Sequence, residues 1–271
     1  MKTVNIPQPD LPTQERIAAI LSAYDDLIEN NRRRIALLEQ AARLLYREWF
    51  VHFRFPGHET AKFLDGLPEG WELKLLPEVC VEGDGIQTGP FGSQLHQADY
   101  TEEGVPVIMP KNIKGNTIDC DGIARIPEAL ADKLGRHRMI VGDTVYGRRG
   151  EIGRRAFIDE KQAGFFCGTG CLRIRPNTSV IDARYLFETL GAPDTAGFIV
   201  NQALGSTMPN LSAGALKQVP ILYPPLDIQA AFKAIATPKF EAVDVLETQN
   251  TKLTAARDLL LPRLMDGRLP V

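Results

Sequence analysis

The stretch IPQPDLPTQERIAAIL, Ile6 to Leu21, returns near the other end of the chain as ILYPPLDIQAAFKAIA, Ile221 to Ala236. Val4 matches Val219, Pro9 matches Pro224, Leu11 matches Leu226, Gln14 matches Gln229 and Ile20 matches Ile235, all at one constant offset. The match runs on, with Leu38, Leu44 and Leu45 falling on Leu253, Leu259 and Leu260. Two copies so far apart do not make a solenoid, whose units stack on their neighbours. They read as one helical element used twice, led in each time by Pro-x-Leu-x-x-Gln.

The first copy opens a long helix. Pro9 and Pro12 punctuate its start, and Thr13 is expected to cap it. No Gly or Pro follows until Pro56. Ile17, Leu21, Tyr24, Ile28, Ile35, Leu38, Ala42, Leu45 and Trp49 recur at alternating spacings of four and three, with Asn31 filling the gap. That is a heptad seam held for about five repeats. Glu29, Arg32, Arg33, Arg34 and Arg43 lie on the opposite face. The second copy repeats the register through Phe232, Ala236, Val243, Leu246, Leu253, Leu260 and Leu264. Pro238 predicts a kink or break near Thr237. Asn31 and Asn250 interrupt the two seams. Each fits either a buried polar residue that fixes register or a solvated edge.

Between about Pro56 and Pro224 the character changes. Gly is frequent, and short apolar runs alternate with turns. VPVIM, HRMIVGDTVYG, RRAFI and CLRIR read as strands, as does FFCGTGCLRI. DARYLFETLGA and TAGFIVNQAL read as short helices, and LPEGWELKLL as a turn leading into a strand. The expected fold class is α+β: a mixed α/β domain at 56–224, flanked by long helices at 1–55 and 225–271. Shared register, with a domain inserted between the copies, predicts that the helices pair as an antiparallel coiled coil.

Composition narrows the function. Hydrophobic residues make up 44% of 271 residues, enough for a core. No apolar run approaches the roughly 18 residues of a membrane span, and MKTVNIPQPD lacks the apolar stretch of a secretory signal. A cytoplasmic protein is expected, with Cys80, Cys120, Cys167 and Cys171 as reduced thiols. Cys167 and Cys171 have no neighbouring His or Cys to complete a metal site. Net charge is −3, yet Arg125, Lys133, Arg136, Arg138, Arg148, Arg149, Arg154 and Arg155 outnumber Glu128, Asp132, Asp143 and Glu151 in one stretch. Acidic residues gather elsewhere, at Glu69, Glu72, Glu78, Glu82 and Asp84. The chain contains no phosphate-cradling Gly-x-x-x-x-Gly-Lys-Ser, no zinc cluster, no Ser/His/Asp signature and no amino-methyltransferase tetrapeptide. His52, His58, His96 and His137 are scattered. No catalytic or metal-binding residue is expected.

Five stretches in order resemble the DNA-specificity subunit of type I restriction–modification systems. LIENNRRRIALLEQAARLLYREWF (Leu27 to Phe50) resembles that family's long helix. LPEGW (Leu67 to Trp71) is similar to the opening of its target recognition domain, and TGPFGSQL (Thr88 to Leu95) to its first glycine-rich loop. GSTMPNLS (Gly205 to Ser212) resembles its late loop, and PPLDIQ (Pro224 to Gln229) the start of its spacer helix. The resemblance covers essentially the whole chain. The family pattern has two recognition domains and two spacers. This chain reads as a half-length form, spacer, recognition domain, spacer, with the domain that would precede the first copy missing.

The resemblance implies a non-catalytic subunit that binds double-stranded DNA and directs a methyltransferase/endonuclease complex to one half of a bipartite site. It implies partner modification subunits that use S-adenosylmethionine, a restriction subunit that uses magnesium and ATP, and no cofactor in this chain. The second half-site calls for a homodimer or a second, unlike half-subunit. Phosphate contacts position such a reader, and base-edge contacts discriminate. TGPFGSQL offers Thr88, Gly89 and Ser93 to phosphates, or is a tight turn with Phe91 in the core. MPKNIKGN offers Lys111, Asn112, Lys114 and Asn116, or is a solvated loop. YGRRGEIGRRAF carries Arg148, Arg149, Arg154 and Arg155, and arginine both reads guanine and clamps phosphate. Strand alternation allows only one of each Arg pair to face DNA. Ser206, Thr207 and Asn210 suit phosphate contacts or a structural turn. Two other functions fit the residues: a phosphate- or nucleotide-binding enzyme with helical dimerisation arms, and a truncated scaffold that holds methyltransferases without recognising DNA.

Overall fold

A computed structural model describes residues 9–203 and 210–270, so Ser206 and Thr207 lie outside the described residues. The chain forms two compact units, Met1–Tyr46 with Ala234–Val271, and Arg47–Lys233.

In the first unit, helix α1 (Leu11–Tyr46) packs with the greater part of helix α6 (Leu226–Met265). The cap of α1 is Asp10, not Thr13: Thr13 N donates to Asp10 Oδ1 at 3.1 Å. Pro12 therefore falls in the first turn, where its missing N–H costs nothing. Thr13 Oγ1 instead accepts from Arg16 Nη2. The repeated Gln has a shared role. Gln14 Nε2 donates to Pro9 O at 2.7 Å, and Gln229 Nε2 donates to Pro224 O at 2.8 Å. Each side chain reaches back five residues and fastens the first turn of its helix to the proline carbonyl before it.

The predicted seam faces inward. Ile17, Ile28 and Ala42 are buried on α1, as are Ala236, Val243, Leu246 and Leu264 on α6, while Leu21, Tyr24, Ile35, Leu38, Leu45, Leu253 and Leu260 are half-buried. Asn31 is buried at 6% exposure and donates to Asn250 Oδ1 at 3.0 Å. Arg257 donates to Asp25 Oδ1 at 2.6 Å. Contacts thus move down α6 as they move up α1. Of the kink or break expected near Thr237, the break does not occur, and α6 continues through Pro238 and Pro262. Seam residues buried on both sides, Ala236 and Val243, hold the helix together. In the turn that Pro238 opens, Lys239 Nζ donates to Ile235 O at 2.7 Å. Among the described residues no helix is long and apolar enough to cross a membrane.

The second unit is mixed α/β. Its strands are β1 (Phe63–Leu64), β2 (Leu67–Pro68), β3 (Glu72–Leu75), β4 (Ile86–Thr88), β5 (Val105–Ile108), β6 (Ile113–Lys114), β7 (Thr117–Ile118), β8 (Arg125–Ile126), β9 (Thr144–Gly147), β10 (Arg155–Phe157), β11 (Phe166–Cys167), β12 (Cys171–Ile174) and β13 (Pro220–Tyr223). Its helices are α2 (Glu128–Lys133), α3 (Ala183–Gly191), α4 (Pro193–Ala203) and α5 (Ala213–Leu216). The largest sheet has the order β10-β9-β12-β4, all antiparallel. A second sheet runs β11-β5-β8, with β11 parallel to β5. The run FFCGTGCLRI is therefore not one strand. It leaves one sheet at Cys167, turns through Gly168, Thr169 and Gly170, and joins the other at Cys171.

The two sheets share a core of Ile108, Ile113, Met139, Val145, Ala156, Ile158, Cys167 and Cys171. Burial pushes the Cys80 and Cys167 thiols up to about 12, so both stay protonated. A second, aromatic core explains two of the sequence signatures. Trp71, in LPEGW, packs at a tilt against Phe55 at 4.9 Å and Phe50 at 5.8 Å. Phe50 meets Tyr185 at 4.7 Å and Phe232 at 5.2 Å. Gln229 is 1% exposed, and its Oε1 accepts Asp182 N at the start of α3 (2.8 Å). One side chain thus fastens α6 both to its own first turn and to α3.

Candidate nucleic-acid interface

The turn at Gly168–Gly170 gathers the loops at one end of the two sheets. Gly89 lies so close that a Cβ there would sit 2.0 Å from Gly168 O. Thr169 Oγ1 donates to Pro90 O at 2.9 Å. Pro110 packs on Gly170, and a Cβ at Gly170 would lie 3.3 Å from its ring. Gly168 N donates to Ile108 O, and Arg148 N donates to Gly170 O, both at 2.9 Å. Arg148 Nε donates to Asn210 Oδ1 at 3.2 Å, and Leu211 N donates to Arg148 O. Thr88–Ser93, Met109–Asn112, Arg148–Gly150 and Asn210, far apart in sequence, thus meet around one turn. Sequence reasoning missed this hub by taking the stretch as continuous strand. The signal was present: two glycines one residue apart within a strand-like run mark a bend or a close backbone approach.

Within this cluster the candidate residues divide into exposed groups and groups that build the loops. Ser93, Lys111, Arg149 and Asn210 are exposed. Phe91 is exposed too, at 59%, so the turn does not tuck it into the core. Thr88 is half-buried at the end of β4. Gly89 is buried, its backbone pressed against Gly168. Asn112 is 3% exposed. Its Oδ1 accepts Met109 N at 3.0 Å, and its Nδ2 donates to Asp119 O at 3.2 Å. Its amide is committed to two backbone groups and braces the loop. Lys114 is paired with Asp119 at 2.5 Å, which lowers the Asp119 pKa.

Each arginine pair splits. Arg148 is 9% exposed, while Arg149 faces solvent. Burial, then the charge of Arg149, pulls the Arg148 guanidinium below its ordinary pKa. Arg155 turns inward. Its Nε donates to Phe187 O at 3.1 Å, and its guanidinium lies 4.6 Å from the Phe187 ring. It occupies the space a side chain at Gly191 would need. Arg154 is half-exposed and paired with Glu151. The guanidinium groups of Arg148 and Arg155 are thus engaged within the protein, by Asn210 and by Phe187.

A buried charge network stiffens the sheet behind the loops. Arg173 on β12 is 0% exposed and donates to Asp84 Oδ1 at 2.5 Å. Arg175 donates to both Asp143 oxygens at 2.8 Å and to Asp84 Oδ2 at 3.0 Å. His137, 2% exposed, packs on Phe166. Burial, then the charges of Arg136 and Arg173, pushes its pKa down to about 4 from 6.5. A histidine with a depressed folded pKa gives stability that is complete above the unfolded value and is lost as pH falls through the folded one. The expected result is a loss of up to about 3 kcal/mol as pH falls from about 6.5 towards about 4. Urea titrations of parent and His137→Leu check this. The parent's stability relative to the variant should fall by that amount across the window, and a constant difference would exclude the effect.

A mixed α/β unit together with a pair of long helices is also the fold of a solved specificity subunit. The type I restriction–modification S subunit from M. genitalium matches with a TM-score of 0.63 at 18% identity, over 94% of this chain and 61% of that chain. The chain belongs to the type I restriction modification DNA specificity domain family, whose model matches residues 1–40 and 68–255. The MjaIX type I restriction enzyme specificity subunit of Methanocaldococcus jannaschii is 28% identical over 280 residues, covering 100% of this chain and 62% of its own length. The MjaVIII specificity subunit of the same organism is 24% identical, covering 100% of this chain and 63% of itself. The chain thus spans less than two thirds of these curated relatives.

Proposed function

We propose that this chain is a non-catalytic, sequence-specific DNA-recognition subunit that addresses a methyltransferase to one half of a bipartite site. The carrying observation is the convergence of Ser93, Lys111, Arg149 and Asn210 on the Gly168–Gly170 hub. These groups can reach a duplex, with Lys114 and Arg154 as further phosphate contacts once their own carboxylate partners yield. Thr88, Gly89, Asn112, Arg148 and Arg155 hold the loops in shape. Residues 56–224 act as the reading domain. Base flipping and transfer from S-adenosylmethionine fall to partner subunits. The testing experiment is methylome sequencing of cells that carry the cognate methyltransferase with and without this chain. A recurring bipartite motif that depends on the chain is expected, and methylation without one overturns the reading. Halves that are inverted repeats indicate two identical readers, and unrelated halves an unlike partner.

Arg149 is the sharpest test within the site. Arg149→Ala should reduce the slope of log affinity against log salt by about one if the residue holds phosphate. It should instead cost about 1–3 kcal/mol on the target alone if it reads a base. Fluorescence anisotropy on target and scrambled duplexes decides. An unchanged affinity, slope and preference would remove Arg149 from the interface.

We further propose that α1 and α6 form an antiparallel coiled coil whose rigid rise of about 1.5 Å per residue sets half-site spacing. The Asn31–Asn250 bond supports this as a register lock. Asn31→Leu leaves the Asn250 amide unpaired and should lower stability by about 1–2 kcal/mol. The double change Asn31→Leu with Asn250→Leu should recover it or exceed the parent. Far-UV circular dichroism melts provide the measurement, and additive losses would argue against a paired role.

A further inference from the structure

We infer that Phe91 is an apolar wedge, pressed into the base stack of the half-site to loosen one base step. The inference rests on the DNA-recognition reading above and deepens it. Phe91 is 59% exposed, and the other exposed phenylalanine among the described residues, Phe63 at 51%, is packed edge-on against Phe53 at 5.7 Å. Phe91 has no such ring partner among the described residues, although it stands beside buried Gly89 and Pro90.

Its backbone is firmly held. Phe91 O accepts Gln94 N at 2.8 Å and Leu95 N at 3.2 Å, and Phe91 N donates to Gln94 Oε1 at 3.4 Å. Leu95 is 5% exposed and anchors the far side of the turn. On the near side Thr169 holds Pro90 O, and Gly89 N donates to Cys171 O at 3.0 Å. The next residue, Gly92, has nothing within 4 Å of the place a Cβ would occupy, so the ring stands beside open space. A large apolar group on a fixed base loses little freedom on binding.

The setting decides what such a ring would meet. It belongs to the loop that carries Ser93, on the same hub that gathers Lys111 and Arg149. Those groups suit phosphates and base edges, and a phenyl ring offers neither a charge nor a hydrogen bond. What it can enter at a duplex is the stack itself. Apolar side chains inserted at a base step partly unstack it and bend the helix. The cost depends on the step, being lowest at flexible pyrimidine–purine steps, so the wedge adds sequence preference where no hydrogen bond is made.

The test uses the full chain with its cognate methyltransferase and duplexes that carry the mapped half-site. 2-Aminopurine is placed at each position of the half-site in turn. The parent is expected to raise fluorescence at one step. Phe91→Ala should abolish that rise and weaken half-site binding by about tenfold or more, with an unchanged salt slope. Phe91→Leu should keep part of both effects. Arg149→Ala should keep the fluorescence rise while altering affinity. The inference is overturned if Phe91→Ala retains the parent's fluorescence and affinity, or loses only its association with the methyltransferase, which would make the ring a protein-docking group. If the parent itself does not prefer the half-site over a scrambled duplex, the recognition reading fails and takes this one with it. That outcome is read on the parent alone.

Discussion

Asp143→Ala is expected to destabilise the mixed unit by about 3 kcal/mol, because it removes a fully buried carboxylate and leaves the Arg175 guanidinium with only Asp84 and the Arg138 carbonyl. Asp143 is 0% exposed. Its two oxygens accept from Arg175 Nε and Nη2, and Oδ2 also accepts Ile140 N at 2.9 Å. Removing the carboxylate leaves a guanidinium and a backbone N–H without that partner between β9 and β12. Asp143→Asn, which keeps the shape and part of the bonding, should cost less. Both tryptophans, Trp49 and Trp71, lie within Arg47–Lys233, so their fluorescence in urea reports this unit separately from the helix pair. A midpoint for Asp143→Ala equal to the parent's would show that the network is not holding the sheet.

Gly89→Ala should be nearly as damaging, and its effect should extend to DNA. A single methyl there would lie 2.0 Å from Gly168 O and 2.6 Å from Gly168 C, both backbone atoms with little room to give. Two loops must move apart, at a cost of about 3 kcal/mol. The Gly89 and Gly168 strand ends carry Phe91, Ser93 and, through Gly170, Arg148 and Arg149. Their separation should drive binding of the target towards the level of random duplex. Gly92→Ala, three residues on in the same loop, meets nothing within 4 Å and serves as the control. Equal target preference in the two variants would contradict the hub.

The helices were legible because their information is local and periodic. Each seam residue announces itself by a neighbour three or four positions away, and the Pro-x-Leu-x-x-Gln repeat completes its bond within five residues. Strands such as VPVIM and CLRIR were visible for the same reason. What sequence could not assign was set by distant partners. Arg155 is occupied by Phe187, Arg148 by Asn210 and Arg173 by Asp84, at separations of 32, 62 and 89 residues. Each arginine pair splits, but Arg148, Arg149 and Arg154 lie outside the strands, so distant packing and not strand alternation divides them. The two backbone partners of Asn112 were likewise not visible in MPKNIKGN. Of the kink or break that local chemistry predicts at Pro238, the break does not occur, with Ala236 and Val243 buried on either side.

The paired glutamine clasps bear on how such a chain changes over generations. Each clasp closes on its own proline, using atoms of its own six residues, and the residues between the clasps supply no part of that closure. Gene segments that share this repeated passage can cross over inside it. The product would exchange everything between one clasp and the next while both helices keep their heptad phase, because the two copies stand in the same frame. The limit on such exchange is the second bond of Gln229: an incoming reader must present a backbone N–H where Asp182 does now.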